Sequence, residues 1–274
     1  MESLNLNSMA LTGTASALQY DPFAHAKMKA DTVNKTTGGL DGYDCTKCLN
    51  RGMIAYPRED GTIYTRECSC MKIRRCVWEM ERSGLKNVIR EKTFEAFTTP
   101  EEWQKDLKSK TMEFADKLSG WLLCCGQPGS GKTHLCTAVC RQRLLAGDEV
   151  RYMPWRDKIA ELKSVSLDGE RREAVFKPFK TAQILYIDDL FKTGKGVDGS
   201  CGPTRADIDV AFEIIDHRER NNLITIISTE KNRNELLDID EALGSRILDK
   251  ARGYVLEVNR NRKKNYRLRG ATAD

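Results

Sequence analysis

The stretch "GQPGSGKTHL", Gly126–Leu135, directly follows the apolar run "WLLCC" at 121–125. Gly126, Gly129, Gly131, Lys132 and Thr133 fit the pattern G-x-x-x-x-G-K-[ST], set between a predicted strand and a predicted helix. Glycines open backbone angles closed to other residues, so successive N–H groups can turn inward around phosphates. The helix that follows points its partly positive end at the same anion. The pattern assigns Gly126, Gln127, Pro128, Gly129, Ser130, Gly131, Lys132, Thr133 and His134 to an ATP-binding loop. In it Lys132 reaches the β/γ oxygens and the Thr133 hydroxyl takes a position on Mg²⁺. An incidental glycine turn is the bland alternative, and the order strand, motif, helix weighs against it. His134 lacks nearby metal-ligand partners, as does His217, and both read as polar packing residues.

Working outward, "ILYIDDL" (184–190) ends a buried strand in two acids, which is costly unless a cation or a catalytic role keeps them there. Asp188 is expected to hold Mg²⁺ through water, and Asp189 to orient or deprotonate the attacking water. Short apolar runs recur at 121–125, 150–153, 184–187, 223–227 and 254–258, separated by longer periodic segments. That alternation predicts an α/β domain with a parallel central sheet covered on both faces. Upstream, "PEEWQKDLKSKTMEFADKLSG" (100–120) reads as a helix, with Trp103, Leu107, Phe114 and Leu118 near one face. The expected organisation is a flexible N-terminus at 1–40, a zinc-binding module at 41–85, a helical linker at 86–119 and the ATPase domain at 120–274.

The cysteines divide in two groups. "CTKC" (45–48) and "CSC" (68–70) give C-x₂-C, nineteen intervening residues, then C-x-C. Cys45, Cys48, Cys68 and Cys70 can wrap one tetrahedral Zn²⁺, and a closed set of four is structural, not catalytic. Turn residues Pro57, Asp60 and Gly61 between them suit a β-hairpin over the metal. Four free thiols are the alternative, an iron–sulfur cluster has different usual spacings, and Cys76 could substitute as a ligand. Cys124, Cys125, Cys136 and Cys140 read as small buried hydrophobes. Cys201 falls in the glycine-rich "GKGVDGSCGPT", read as a mobile loop.

These residues resemble the AAA+ ATPases, and more narrowly the DnaC/DnaI-type replicative helicase loaders with their relative IstB, over roughly 90–270. "FEAF" (94–97), with Phe94 and Phe97, is similar to the segment leading into the family's ATPase core. "DVAFEIIDHRERNNLITIISTEKNRNELL" (209–237) is similar to its sensor 1 region, with Ser228 or Thr229 as the polarising hydroxyl and Glu230 a departure from the family pattern. "DIDEALGSRI" (238–247) is similar to the segment bearing its arginine finger, here Arg246, just after a helix. The resemblance implies an AAA+ P-loop fold with a short helical lid, Arg267 as sensor 2, and a zinc module that contacts the helicase. It implies an ATP- and Mg²⁺-dependent loader of a replicative hexameric DNA helicase. Its catalytic set would be Lys132, Asp188, Asp189, Ser228 and, acting on a neighbouring copy in a homo-oligomer, Arg246. Such a loader holds single-stranded DNA, for which Phe191, Lys192 and Lys195 are the candidates. An IstB-like transposition helper, a small-molecule kinase and a nucleotide-binding adaptor that never hydrolyses remain as other readings.

The whole chain, 274 residues with 40% hydrophobic and 31% charged, reads as a soluble globular protein with no membrane-spanning run. The start lacks the pattern of a secretory signal, and ten cysteines fit thiols or metal ligands better than disulfides, so a cytoplasmic location is expected. Net charge is only +5, with a basic run "NRNRKKNYRLRG" (259–270) read as either a solvated tail or a binding element.

Overall fold

A computed structural model describes residues 21–41, 43–80, 91–165, 169–192 and 202–268. The chain divides into two compact units, one ending at Cys68 and the other beginning at Ser69. In the first, helix α1 (Pro22–Lys35) precedes an antiparallel hairpin of β1 (Met53–Pro57) and β2 (Ile63–Glu67). Helix α1 lies in a segment that the sequence reads as flexible. Its signals are local: Asp21 Oδ1 accepts from the N–H groups of Phe23 and Ala24, and Pro22 opens the helix. Only Ala26 and Ala30, one turn apart, are buried, too narrow a contact to register as a sustained apolar period. The Asn34 side-chain amide exchanges two hydrogen bonds with the backbone of Ala55, at 2.9 and 2.8 Å, pinning α1 to β1.

The second unit begins with α2 (Cys70–Met80), followed by α3 (Glu102–Lys117), β3 (Trp121–Gly126), α4 (Lys132–Leu145), β4 (Val150–Pro154), α5 (Trp155–Ser164) and α6 (Gly169–Thr181). Then come β5 (Ile184–Asp188), α7 (Arg205–Arg220), β6 (Ile224–Ser228), α8 (Arg233–Ile239), α9 (Glu241–Lys250) and β7 (Val255–Val258). Two 3₁₀ turns, Arg262–Lys264 and Tyr266–Leu268, end the described chain and are all that stands for the short helical lid among the described residues. The expected helix at 100–120 is α3, shorter by its caps: Glu101 and Gln104 form a capping box, and Leu118 closes the helix in a left-handed conformation. Leu107 and Phe114 carry its buried face.

The five strands β3 to β7 form one parallel sheet in the order β4-β5-β6-β3-β7. β3 and β5 are buried at every position, which is why they read as unbroken apolar runs. The path leaves β3 for the far edge, returns to its side at β6, and crosses to its other side at β7. A crevice therefore opens at the carboxyl end of β3, where strand direction of travel reverses. β6 begins one residue later than the apolar run suggests: Leu223 follows the turn at Asn221 and Asn222, and its carbonyl accepts from Trp121 Nε1 at 2.9 Å.

One core contact has no sequence signature. Arg218, on α7, is fully buried. Its guanidinium donates to the carbonyls of Phe179, Lys180, Ala182 and Ile224 and to Thr225 Oγ1, at 2.5–3.2 Å. The cation is thus solvated by the carbonyl end of α6, where the helix dipole is negative, and by the start of β6. Replacing it strands several buried carbonyls at ~1–3 kcal/mol each. Arg218→Met is expected to lower unfolding free energy by roughly 2–4 kcal/mol, with Arg218→Lys between it and the parent. The check is the urea midpoint at unchanged denaturant slope.

Candidate functional site

The phosphate loop runs from the carboxyl end of β3 into α4. Gly126 has φ 93°, and a β-carbon there would overlap the Val258 carbonyl. At Gly131, also φ 93°, a β-carbon would lie 2.5 Å from the Phe97 ring. Both positions therefore require glycine, by backbone angle and by packing. The loop is braced from the C-terminal segment: Gln127 N donates to Val258 O, Asn261 N to Gln127 Oε1, and Tyr266 N to Gly129 O, each at 2.8 Å. Ser130 Oγ donates to Gln127 O at 2.9 Å. Part of the basic run 259–270 is thus a strut for the loop, with Arg260 paired to Glu235 and Lys264 over the Trp103 ring. Arg269 lies outside the described residues.

Lys132 is buried, its ammonium donating to Gly126 O at 2.9 Å and Gln127 O at 2.7 Å. Burial pulls its pKa below the usual lysine value, against the opposing pull of Glu230 and Asp189. Thr133 Oγ1 donates to Asp188 Oδ1 at 3.1 Å, so the loop hydroxyl and the first strand-end acid meet directly. Asp188 also accepts from Tyr186 (2.6 Å), Tyr152 (2.9 Å) and Ser228. Burial, with Asp188 alongside, drives both tyrosine pKa values up, keeping them as proton donors. Sequence reasoning missed both tyrosines. Tyr186 is two residues before Asp188 on one strand face, a period-2 signal; Tyr152 is its lateral neighbour only through the β4–β5 register.

Asp189 follows with φ 57° and holds Lys192 Nζ at 2.8 Å, while Lys192 also meets Glu230 at 2.9 Å. Burial would lower the Lys192 pKa, but these two carboxylates outweigh it and raise it. Glu230, which departs from the family pattern, therefore has a cationic partner within the chain, shared with Asp189. Ser228 is buried, accepting from Asp189 N and donating to Asp188, and Thr229 Oγ1 donates to Leu190 O. Both hydroxyls are spent on fixing the turn after β5.

A cavity of about 230 Å³ opens beside the loop. Gly129–His134 line it together with Asp189, Lys192, Glu230, Phe97, Gln104, Tyr266, Arg267 and Lys92. Lys92, Gln104 and Tyr266 carry no motif and enter the site only by folding. Phe94 is buried nearby in sequence without lining the cavity. His134 Nε2 bonds Thr93 O at 2.8 Å and meets Phe97 edge-on, a packing role; burial lowers its pKa.

Three sequence expectations change. Phe191 is buried and packs edge-on against Trp155, with ring centroids 5.4 Å apart, so it offers no face to a DNA base. Lys192 is committed to its two carboxylates, and Lys195 lies outside the described residues. Arg246 is not after a helix but within α9, because Asp240 caps that helix and it continues to Lys250. It pairs with Asp216 and Glu219 at 3.2 and 2.5 Å, covers the Phe212 ring, and does not line the cavity of its own chain.

The Sγ atoms of Cys45, Cys48, Cys68 and Cys70 all lie within 4.8 Å of one another, and all four residues are buried. The cluster follows from chain continuity, since Cys70 stands two residues beyond Cys68. Cys45 and Cys68 Sγ are 3.8 Å apart, far too long for a disulfide and equal to the ~3.8 Å edge of a tetrahedron with ~2.3 Å Zn–S bonds. Left-handed Leu49 and Asn50 turn the chain after Cys48, and Gly52 N–H then donates to Cys48 Sγ at 3.3 Å. Such a donor favours the thiolate that zinc requires. Cys124, Cys125, Cys136 and Cys140 are buried thiols in the sheet and α4, and burial pushes Cys125 up to about 12. The Cys76 side chain and Cys201 lie outside the described residues. The thiol geometry predicts close to one zinc per purified chain by metal analysis, falling below a tenth in Cys45→Ser/Cys68→Ser. Equal metal in the two proteins would remove the assignment.

No described helix is long and apolar enough to cross a membrane. The sequence pattern of one family, described as IstB-like ATP binding protein, matches residues 53–272. The chain is 30% identical over 226 residues to the phage-like element PBSX protein XkdC of Bacillus subtilis (strain 168), covering 79% of this chain and 82% of that one. It is 26% identical over 208 residues to the replicative helicase loader DnaC of Escherichia coli (strain K12), covering 73% and 79%. A crystal structure of the DnaC helicase loader superposes with TM-score 0.52 at 19% identity, covering 64% of this chain and 99% of that one, a likeness of fold. With its five-stranded parallel sheet, phosphate loop and matched length, the chain belongs to the family of IstB-like ATP binding proteins, on an AAA+ fold.

Proposed function

We propose that this protein is an ATP-dependent loader of a replicative hexameric DNA helicase, holding ATP with Mg²⁺ and single-stranded DNA and acting as a homo-oligomer in the cytoplasm. The observation that carries the reading is the convergence of Lys132, Thr133 and Asp188 at one end of the sheet in a relative of DnaC. The backbone N–H groups of the loop 129–133 and the Lys132 ammonium would suit a triphosphate, and Thr133 with Asp188 would suit Mg²⁺, directly and through water. Bound there, Mg²⁺ would neutralise charge on the phosphate oxygens. Asp189 is proposed to orient water or take its proton. Lys192 pairs with both Asp189 and Glu230 and offsets one of their two charges, so an anionic ligand does not meet two bare carboxylates. That pairing lessens the electrostatic objection on which the non-hydrolysing adaptor rests. Residues 41–85 are proposed as the zinc-binding module that meets the helicase. Arg267, in the cavity wall, is proposed as sensor 2, and Ser228 as the residue that orients both strand-end acids.

Arg246 is proposed to act on the nucleotide of a neighbouring copy, exchanging Asp216 and Glu219 for the terminal phosphate. The family match also favours a second reading, a transposition helper of the IstB kind.

Lys132→Ala is expected to weaken binding of a fluorescent ATP analogue at least tenfold, since the loop then lacks the ammonium proposed to leave the Gly126 and Gln127 carbonyls for the β/γ oxygens. Arg246→Ala should bind that analogue as the parent does, yet lose about 10³-fold or more of partner-stimulated turnover. Full turnover in Arg246→Ala would dismiss the finger. Pull-downs with a replicative helicase and with a transposase, each with and without ATP, separate the two readings; capture of the transposase alone reverses the choice.

A further inference from the structure

Phe191 is enclosed in the core, so base stacking on this protein needs another aromatic surface. The β1–β2 hairpin carries one. Tyr56 and Tyr64 are direct cross-strand partners, stacked with centroids 5.5 Å apart and planes at 28°. The Arg66 guanidinium lies over both rings, 5.9 Å from Tyr56 and 5.4 Å from Tyr64, and Arg58 lies 5.2 Å from Tyr64. Strand alternation puts Ile54, Tyr56, Tyr64 and Arg66 on one face, with Arg58 just past the end of β1. Ala55, on the opposite face, is buried beside α1. Tyr56 is 38% exposed, and Arg58 and Arg66 are exposed.

The charge on this face is one-sided. Its strand positions hold no acid; Glu59 and Asp60 stand in the turn, and Glu67 points to the other face. Asp60 acts on Arg58 only through space. Among the described residues neither guanidinium has a hydrogen-bond or carboxylate partner. Cross-strand stacking alone steadies a hairpin, but that purpose does not call for two guanidinium groups without a carboxylate contact. Flat rings flanked by guanidinium groups with free N–H edges match a strand that offers base faces and phosphates together.

We propose that the Tyr56–Tyr64–Arg58–Arg66 face of the hairpin is a binding surface for single-stranded nucleic acid. It deepens the single-strand part of the proposed function and is independent of the nucleotide cavity and of hydrolysis. The rings stack on bases and the two guanidinium groups meet phosphates, so binding is tolerant of sequence and sensitive to salt.

The test is fluorescence anisotropy of a labelled 15-mer oligothymidylate with the zinc-loaded full chain, without nucleotide. Tyr56→Ala/Tyr64→Ala should weaken binding at least tenfold. Arg58→Lys/Arg66→Lys should weaken it severalfold while leaving its salt dependence unchanged, because charge is kept and planar stacking is lost. Zinc content and melting temperature serve as folding checks, and Tyr56→Thr alone replaces the double variant if that loses zinc. Parent-like affinity in these variants overturns the surface while leaving the single-strand reading standing. No binding by the parent chain overturns both. Loss of helicase capture with oligonucleotide affinity unchanged makes the face a protein-docking surface instead.

Discussion

A single carboxylate ties the nucleotide end of the sheet together. Asp188 is buried at the tip of β5, and an ion in that position must be solvated by the protein or neutralised. Four hydroxyls solvate it, from α4 (Thr133), β4 (Tyr152), its own strand (Tyr186) and β6 (Ser228). Hydrogen bonds to a charged group contribute ~1.5–3 kcal/mol each, so the arrangement holds three strand ends and the first turn of α4 in register. The hydroxyl proposed for Mg²⁺ and the carboxylate proposed to assist it are consequently placed before any ligand arrives.

The same economy governs the rest of the cavity. Asp189, Lys192 and Glu230 form one ion-paired cluster, and the turn that carries two of them is fastened at both ends. Leu190 N donates to Ser228 O at 2.9 Å, Thr229 Oγ1 donates to Leu190 O at 2.7 Å, and Phe191 is anchored in the core. The phosphate loop is held from the opposite side by Val258, Asn261 and Tyr266. Nearly every group that would touch a triphosphate is thus positioned by packing and not by the ligand, which is the condition for electrostatic preorganisation.

The first unit solves a different problem. Helix α1 buries only two alanines and the hairpin only Ala55 among its strand positions, too little apolar surface to fix a fold of this size. Four convergent thiols offer what burial does not, since zinc bound to such a set supplies ~10–16 kcal/mol of apparent folding free energy. With a metal held there, the hairpin would not need to bury both faces and could leave its tyrosines and arginines outside.

Local chemistry made much of this legible in the chain itself. The glycine spacing, the apolar runs of a doubly covered sheet, the paired acids and the two cysteine pairs each obey a short-range rule, so residues 126–134, Asp188, Asp189 and the four thiols stand out without coordinates. Strand order was not legible, nor was anything dependent on it: Tyr152 reaches Asp188 only because β4 lies beside β5, and Lys192 reaches Glu230 only because β5 lies beside β6. Lys92, Gln104 and Tyr266 likewise line the cavity by long-range folding and carry no periodic signal. Side-chain direction decided the remainder, enclosing Phe191 and turning Arg246 onto Asp216 and Glu219, because a sequence states what a residue is, while only packing states which way it faces.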